Sequence, residues 1–155
     1  MKSQFLTELS VELCPGCDGI WTLRKPLGYY SELLKREIWV PHSFPAIQFF
    51  TDFASVPRVP LVYDAYGDRA HREAVIHDYL FCIDSDPLVS FMLANRVFLE
   101  AMIARDKPLY VAYPMFWGVV AGGYPSYHKR HVSDDLTVKQ IKQHKADAIA
   151  KNVEN

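Results

Sequence analysis

Between residues 19 and 53 the chain runs in short apolar or aromatic stretches broken by Gly, Pro and charged residues: Ile20-Trp21-Thr22-Leu23, Leu27-Gly28-Tyr29-Tyr30, Glu37-Ile38-Trp39-Val40 and Ile47-Gln48-Phe49-Phe50. Aromatic and β-branched residues suit a half-buried pleated surface, so this texture predicts antiparallel strands. Ser31-Glu32-Leu33-Leu34-Lys35-Arg36, between the second and third stretches, reads as a hairpin loop.

The pattern changes after Asp52. Pro57 and Pro60 lack the amide hydrogen that a regular helix or central strand needs, so residues 54–66 form a connector. Residues 69–82 read as the first core helix, with Asp68 as cap and Ala70, Ala74, Val75, Ile76, Leu80 and Phe81 as apolar surface. Asp84-Ser85-Asp86-Pro87 is a helix-start signal, with Ser85 or Asp86 as cap and Pro87 in the first helical position. A second helix over residues 88–105 follows and offers Phe91, Met92, Val97, Phe98, Ala101 and Met102 to the core. A third, over residues 108–120, carries Tyr113, Phe116 and Trp117, kinks at Pro114 and stops at Gly122-Gly123. Its run from Val111 to Gly122 is expected to be a buried element.

The fold class is therefore α+β: a small N-terminal antiparallel β-sheet packed against a C-terminal bundle of about three helices. Residues 1–132 make one domain, which suits a chain of 155 residues. Residues 133–155 are polar and make a terminal helix or tail with little apolar surface to anchor it.

Charge changes the picture by what it excludes. Lys plus Arg number 17 against 18 Asp plus Glu, so the chain as a whole has no pull toward nucleic acid or anionic lipid. Neither a signal-peptide run at the N-terminus nor a stretch of roughly 20 apolar residues is present, so a secreted or membrane-spanning chain is not expected. Cys14, Cys17 and Cys82 cannot all pair with one another, which fits a reducing compartment. Cys14-Pro15-Gly16-Cys17 has the spacing of half a zinc knuckle, but four ligands are needed and no second pair follows; it reads as a Pro-Gly turn. The stretch from Tyr124 to His131 interleaves aromatic and basic groups and reads as a solvated loop, with aromatics suited to contact another protein.

Three stretches in order, Ile38-Trp39-Val40-Pro41, Thr51-Asp52-Phe53-Ala54-Ser55-Val56-Pro57-Arg58 and Ala74-Val75-Ile76-His77-Asp78-Tyr79-Leu80-Phe81, resemble an uncharacterised phage and prophage domain family. That family is marked by "VPxGFxTDxASVPR" followed by "AxxHDYLY". The resemblance runs from about Trp21 to about Met102. It implies a phage origin, a place in the host cytoplasm or the virion, and no established activity. This chain departs from the family in a longer link between Pro41 and Thr51, and in Asn95 where many relatives carry Asp in "ADRxFxxAM".

The candidate chemistry centres on Asp52, Ser55, His77 and Asp78. Adjacent polar groups on an apolar helix must be satisfied if buried. In one solution the Thr51 to Arg58 turn folds back on the helix, and Asp52 and Ser55 lock to His77. In another, the cluster is catalytic: His71 shares a helix face with Asp78, and His71 and Asp78, with His77 as general base or third ligand and Asp52 as an orienting carboxylate, would hold a divalent metal ion (Zn, Ca or Mg) that activates water. Arg58 would then clamp an anion, and Ser55 is the weaker candidate, as nucleophile, because no glycine elbow exposes it. Two functional readings follow. One is a metal-assisted hydrolase acting on a cell-envelope or nucleotide-type substrate; the other is a non-catalytic tail- or capsid-associated component that partners other virion proteins.

Overall fold

The computed structural model describes residues 1–13, 19–42, 49–51 and 70–132. Strands β1 (Gln4–Phe5), β2 (Val11–Leu13), β3 (Trp21–Leu23), β4 (Leu27–Ser31), β5 (Arg36–Val40) and β6 (Phe50–Thr51) precede helices α1 (His71–Leu80), α2 (Phe91–Ala104) and α3 (Leu109–Gly122). The strands form two three-stranded antiparallel sheets, ordered β1-β4-β5 and β2-β3-β6. The α+β expectation holds, with one difference: the strands divide between two sheets, because β3 pairs with β2 and β6 while β4 pairs with β1 and β5.

Register explains which sheet face is covered. Leu27 pairs with Val40 and Tyr29 with Ile38, and all four side chains are buried. Between them Gly28 pairs with Trp39, whose ring lies over it so closely that a Cβ there would meet the ring at 2.6 Å. The expected loop joins β4 to β5, and Lys35 closes it with φ of 57°.

The inner sheet face, with Leu23 and Phe49, packs on Val75, Ile76, Tyr79 and Leu80 of α1 and on Val97 and Ala101 of α2. A second apolar cluster joins Ala70 and Ala74 to Phe98 and Met102 of α2 and to Val111, Ala112, Met115 and Val119 of α3. Helix α1 thus packs against the strands, α2 and the second cluster, and every residue from Glu73 to Leu80 is buried.

Three local expectations are corrected. Helix α2 starts at Phe91 rather than residue 88, because the Ser85 hydroxyl donates to the Pro87 carbonyl and the Asp86 amide donates to the Tyr79 hydroxyl. The cap is Ser90, whose Oγ accepts the Leu93 amide at 3.3 Å. Helix α3 is buried on one face only: Tyr110, Tyr113 and Trp117 are exposed. The loop from Tyr124 to His131 is solvent-exposed over much of its length, as expected, and is also pinned to the helices. The Tyr127 hydroxyl donates to the Val89 carbonyl at 2.6 Å, the His128 amide donates to the Phe81 carbonyl, and the Ile83 amide donates to the Arg130 carbonyl. Asp68, the Cys14-Pro15-Gly16-Cys17 unit, the Ile47-Gln48 pair and residues 133–155 lie outside the described residues. No described helix is long and apolar enough to cross a membrane.

Candidate functional site

Because α1 is enclosed, its ionisable side chains at positions 73, 77 and 78 must find partners inside the protein. Successive helical residues are rotated by about 100°, so His77 and Asp78 cannot face the same way. They diverge: His77 turns to α2 and Asp78 turns to β6.

The His77 Nε2 atom lies 2.7 Å from Asn95 Oδ1. Its ring is flanked by Phe81 and Phe98, with centroids 4.1 and 4.9 Å away. Burial lowers its pKa from the ordinary 6.5 to about 4, against the opposing effect of the Asn95 hydrogen bond. The imidazole is therefore neutral at physiological pH. Its Nδ1 atom is buried and has no hydrogen-bond partner among the described residues.

Asp78 Oδ2 accepts the Thr51 hydroxyl at 2.8 Å, which ties the end of β6 to α1. One turn on, the Cys82 thiol donates to the Asp78 carbonyl, and burial pushes that thiol up to about 11 despite the nearby Arg130 guanidinium. A thiol so far from ionising is a poor nucleophile. Arg130 itself lies over the Phe49 ring at 5.2 Å. Glu73, at the other end of α1, is fully buried, with Lys107 Nζ at 3.6 Å and Arg105 at 3.8 Å. Desolvation raises its pKa, and the two cations oppose the rise.

Of the residues singled out from the sequence, His77 and Asp78 are placed as above and His71 opens α1, half-buried. Asp52, Ser55 and Arg58 lie outside the described residues. The expected turn is thus visible only at Thr51, whose contact with Asp78 brings its first residue onto the helix. Among the described residues there is no group of three or more His, Cys, Asp or Glu side chains placed to hold a metal ion.

Two contributors escaped the sequence reading. Asn95 stood out only as a departure from the family pattern, and it is the group that holds His77. Glu100 was overlooked: its Oε2 accepts the Tyr29 and Ser31 hydroxyls at 3.1 and 2.7 Å, and its Oε1 accepts the Leu33 amide at 2.8 Å. A signal existed, since Glu100 is the one charged residue in the apolar run from Val97 to Ala104.

Residues 21–119 match the family described as "Protein of unknown function (DUF1353)". The chain belongs to that family. The match spans β3 to the last turns of α3, so it takes in both the His77–Asn95 and the Thr51–Asp78 contacts. No curated protein and no solved structure matches the chain.

Proposed function

We propose that this chain is a non-catalytic phage virion or assembly component, in which the polar groups of α1 join strands to helices and α3 presents the binding face. The observation that carries this reading is the composition of α3. From Leu109 to Gly122 the helix contains no charged residue, and Leu109, Tyr110, Tyr113 and Trp117 are all exposed. Exposed Trp and Tyr grouped on one element are characteristic of protein interfaces, and an uncharged helix face is matched by an uncharged apolar surface on a neighbouring virion protein. The interior supports the same reading. His77, only 1% exposed, is engaged by Asn95 and Asp78 by Thr51, as expected where buried polar groups serve architecture. The phage setting comes from the resemblance in the stretches holding Thr51 to Arg58 and His77 to Phe81.

Mass spectrometry of purified phage particles tests it: the chain is expected in the particle, and its absence there overturns the reading.

A second reading, a hydrolase acting on a cell-envelope or nucleotide-type substrate, is favoured by one observation, the buried and unpartnered Nδ1 of His77. Elemental analysis for bound metal, joined to hydrolysis assays of the wild type and His77→Gln, tests it. Hydrolysis lost in the variant with the fold retained supports it; no metal and no activity in the wild type ends it.

A further inference from the structure

We infer that His77 is a buried acceptor site for a neutral hydroxyl or thiol donor, presented through Nδ1, with Asn95 as its positioning residue. This deepens the second reading above, on which it rests only for any catalytic use of that atom.

The tautomer follows from the hydrogen bonds. The Asn95 amide nitrogen donates to the Phe91 carbonyl, one turn back, at 3.0 Å, which leaves the amide oxygen facing the imidazole. A carbonyl oxygen only accepts, so at 2.7 Å it is Nε2 that carries the ring hydrogen. A neutral imidazole has a single N–H, so the lone pair is on Nδ1. That atom is sealed from water and lacks a donor among the described residues. An acceptor buried without a partner is unfavourable enough that nearly all such atoms have one.

The surroundings decide what kind of donor it is. Phe81 and Phe98 flank the ring. Apolar walls disfavour a proton at Nδ1, and they disfavour a metal cation for the same reason, because no group of three or more ligating side chains among the described residues offsets the charge. A neutral O–H or S–H brings the hydrogen bond without the charge. An imidazole held at one nitrogen by an amide oxygen, with an acceptor lone pair at the other, is also the arrangement that orients a hydroxyl or thiol nucleophile in hydrolases.

Long-range proton–nitrogen NMR spectra of the 15N-histidine-labelled full chain at neutral pH test this, with His77→Gln to assign the signals. The expected spectrum has a protonated, pyrrole-like Nε2 and a bare Nδ1 displaced by a hydrogen bond, unchanged when Zn2+ alone is added. Asn95→Leu, which removes the acceptor facing Nε2, should let the ring hydrogen distribute between Nε2 and Nδ1. A wild-type ring protonated at Nδ1, an Nδ1 signal at the position of a free lone pair, or one that moves with Zn2+ would each overturn the inference. An Asn95→Leu ring that keeps the wild-type pattern would remove the positioning role. The wild-type spectrum decides even where that variant fails to fold. An expected spectrum from a protein without hydrolytic activity would sink the second reading and leave this inference standing.

Discussion

At the scale of single residues, His77 couples stability to pH. Its native pKa of about 4 lies below the ordinary 6.5, so between these values the unfolded chain binds a proton that the folded chain refuses. Stability from this residue is full above about pH 6.5 and is lost as pH falls toward 4, about 3 kcal/mol in all. Glu73 acts in the opposite sense. Its native pKa is raised, so it favours the folded state at low pH and loses that contribution as pH rises through the native value. Urea unfolding of Glu73→Gln between pH 5 and 7 separates the two: stability is expected to climb with pH, and a flat profile would show that His77 is not held neutral by burial. Asn95→Ala removes the only described partner of the Nε2 hydrogen and should cost about 1–3 kcal/mol at neutral pH. A loss well under 1 kcal/mol would mean that water replaces the amide.

At the scale of elements, the sheets and helices are joined by carboxylates as well as by apolar packing. Glu100 gathers two β4 hydroxyls and the Leu33 amide of the following loop onto α2, so the hairpin and the helix are held in one register. Burial and the Glu100 carboxylate together raise the Tyr29 phenol, which therefore stays protonated and donating. Glu100→Ala is expected to cost about 3 kcal/mol in urea unfolding, whereas Glu100→Gln, which keeps one acceptor oxygen, should cost roughly half as much. Equal losses would show that charge rather than bonding matters there. The elements themselves were largely legible in the chain. The aromatic runs at Leu27–Ser31 and Arg36–Val40 mark a hairpin by local chemistry alone, and the helices follow from the apolar positions around Ala74, Phe98 and Phe116. What was not legible depends on tertiary partners. Asp86-Pro87 looks like a helix start until Tyr79 claims the Asp86 amide. His77-Asp78 looks like one site until a helix's rotation sends the two side chains to Asn95 and Thr51. Pairing across a long separation, such as Tyr29 with Glu100, leaves almost no local trace.

For the molecule as a whole, the two faces of α3 make separable demands. Its inner face, with Val111, Ala112, Met115 and Val119, completes the second apolar cluster and is committed to the fold. Its outer residues Tyr110 and Trp117 are 71% and 60% exposed, so shortening them opens no cavity in the core, although Trp117 gives up an edge contact with Phe116. Tyr110→Ser with Trp117→Ser should therefore cost no more than about 1.5 kcal/mol of unfolding stability per site. Binding obeys different arithmetic, because a few desolvated aromatics contribute most of an interface's affinity, often about 2 kcal/mol or more each. Losing both should weaken association by roughly a thousandfold. Quantitative mass spectrometry of particles grown with the double variant reads this directly. A stable variant depleted from particles places the partner on α3. An undiminished share in particles would mean that the exposed aromatics are not the binding face, and that whatever association exists runs through another surface.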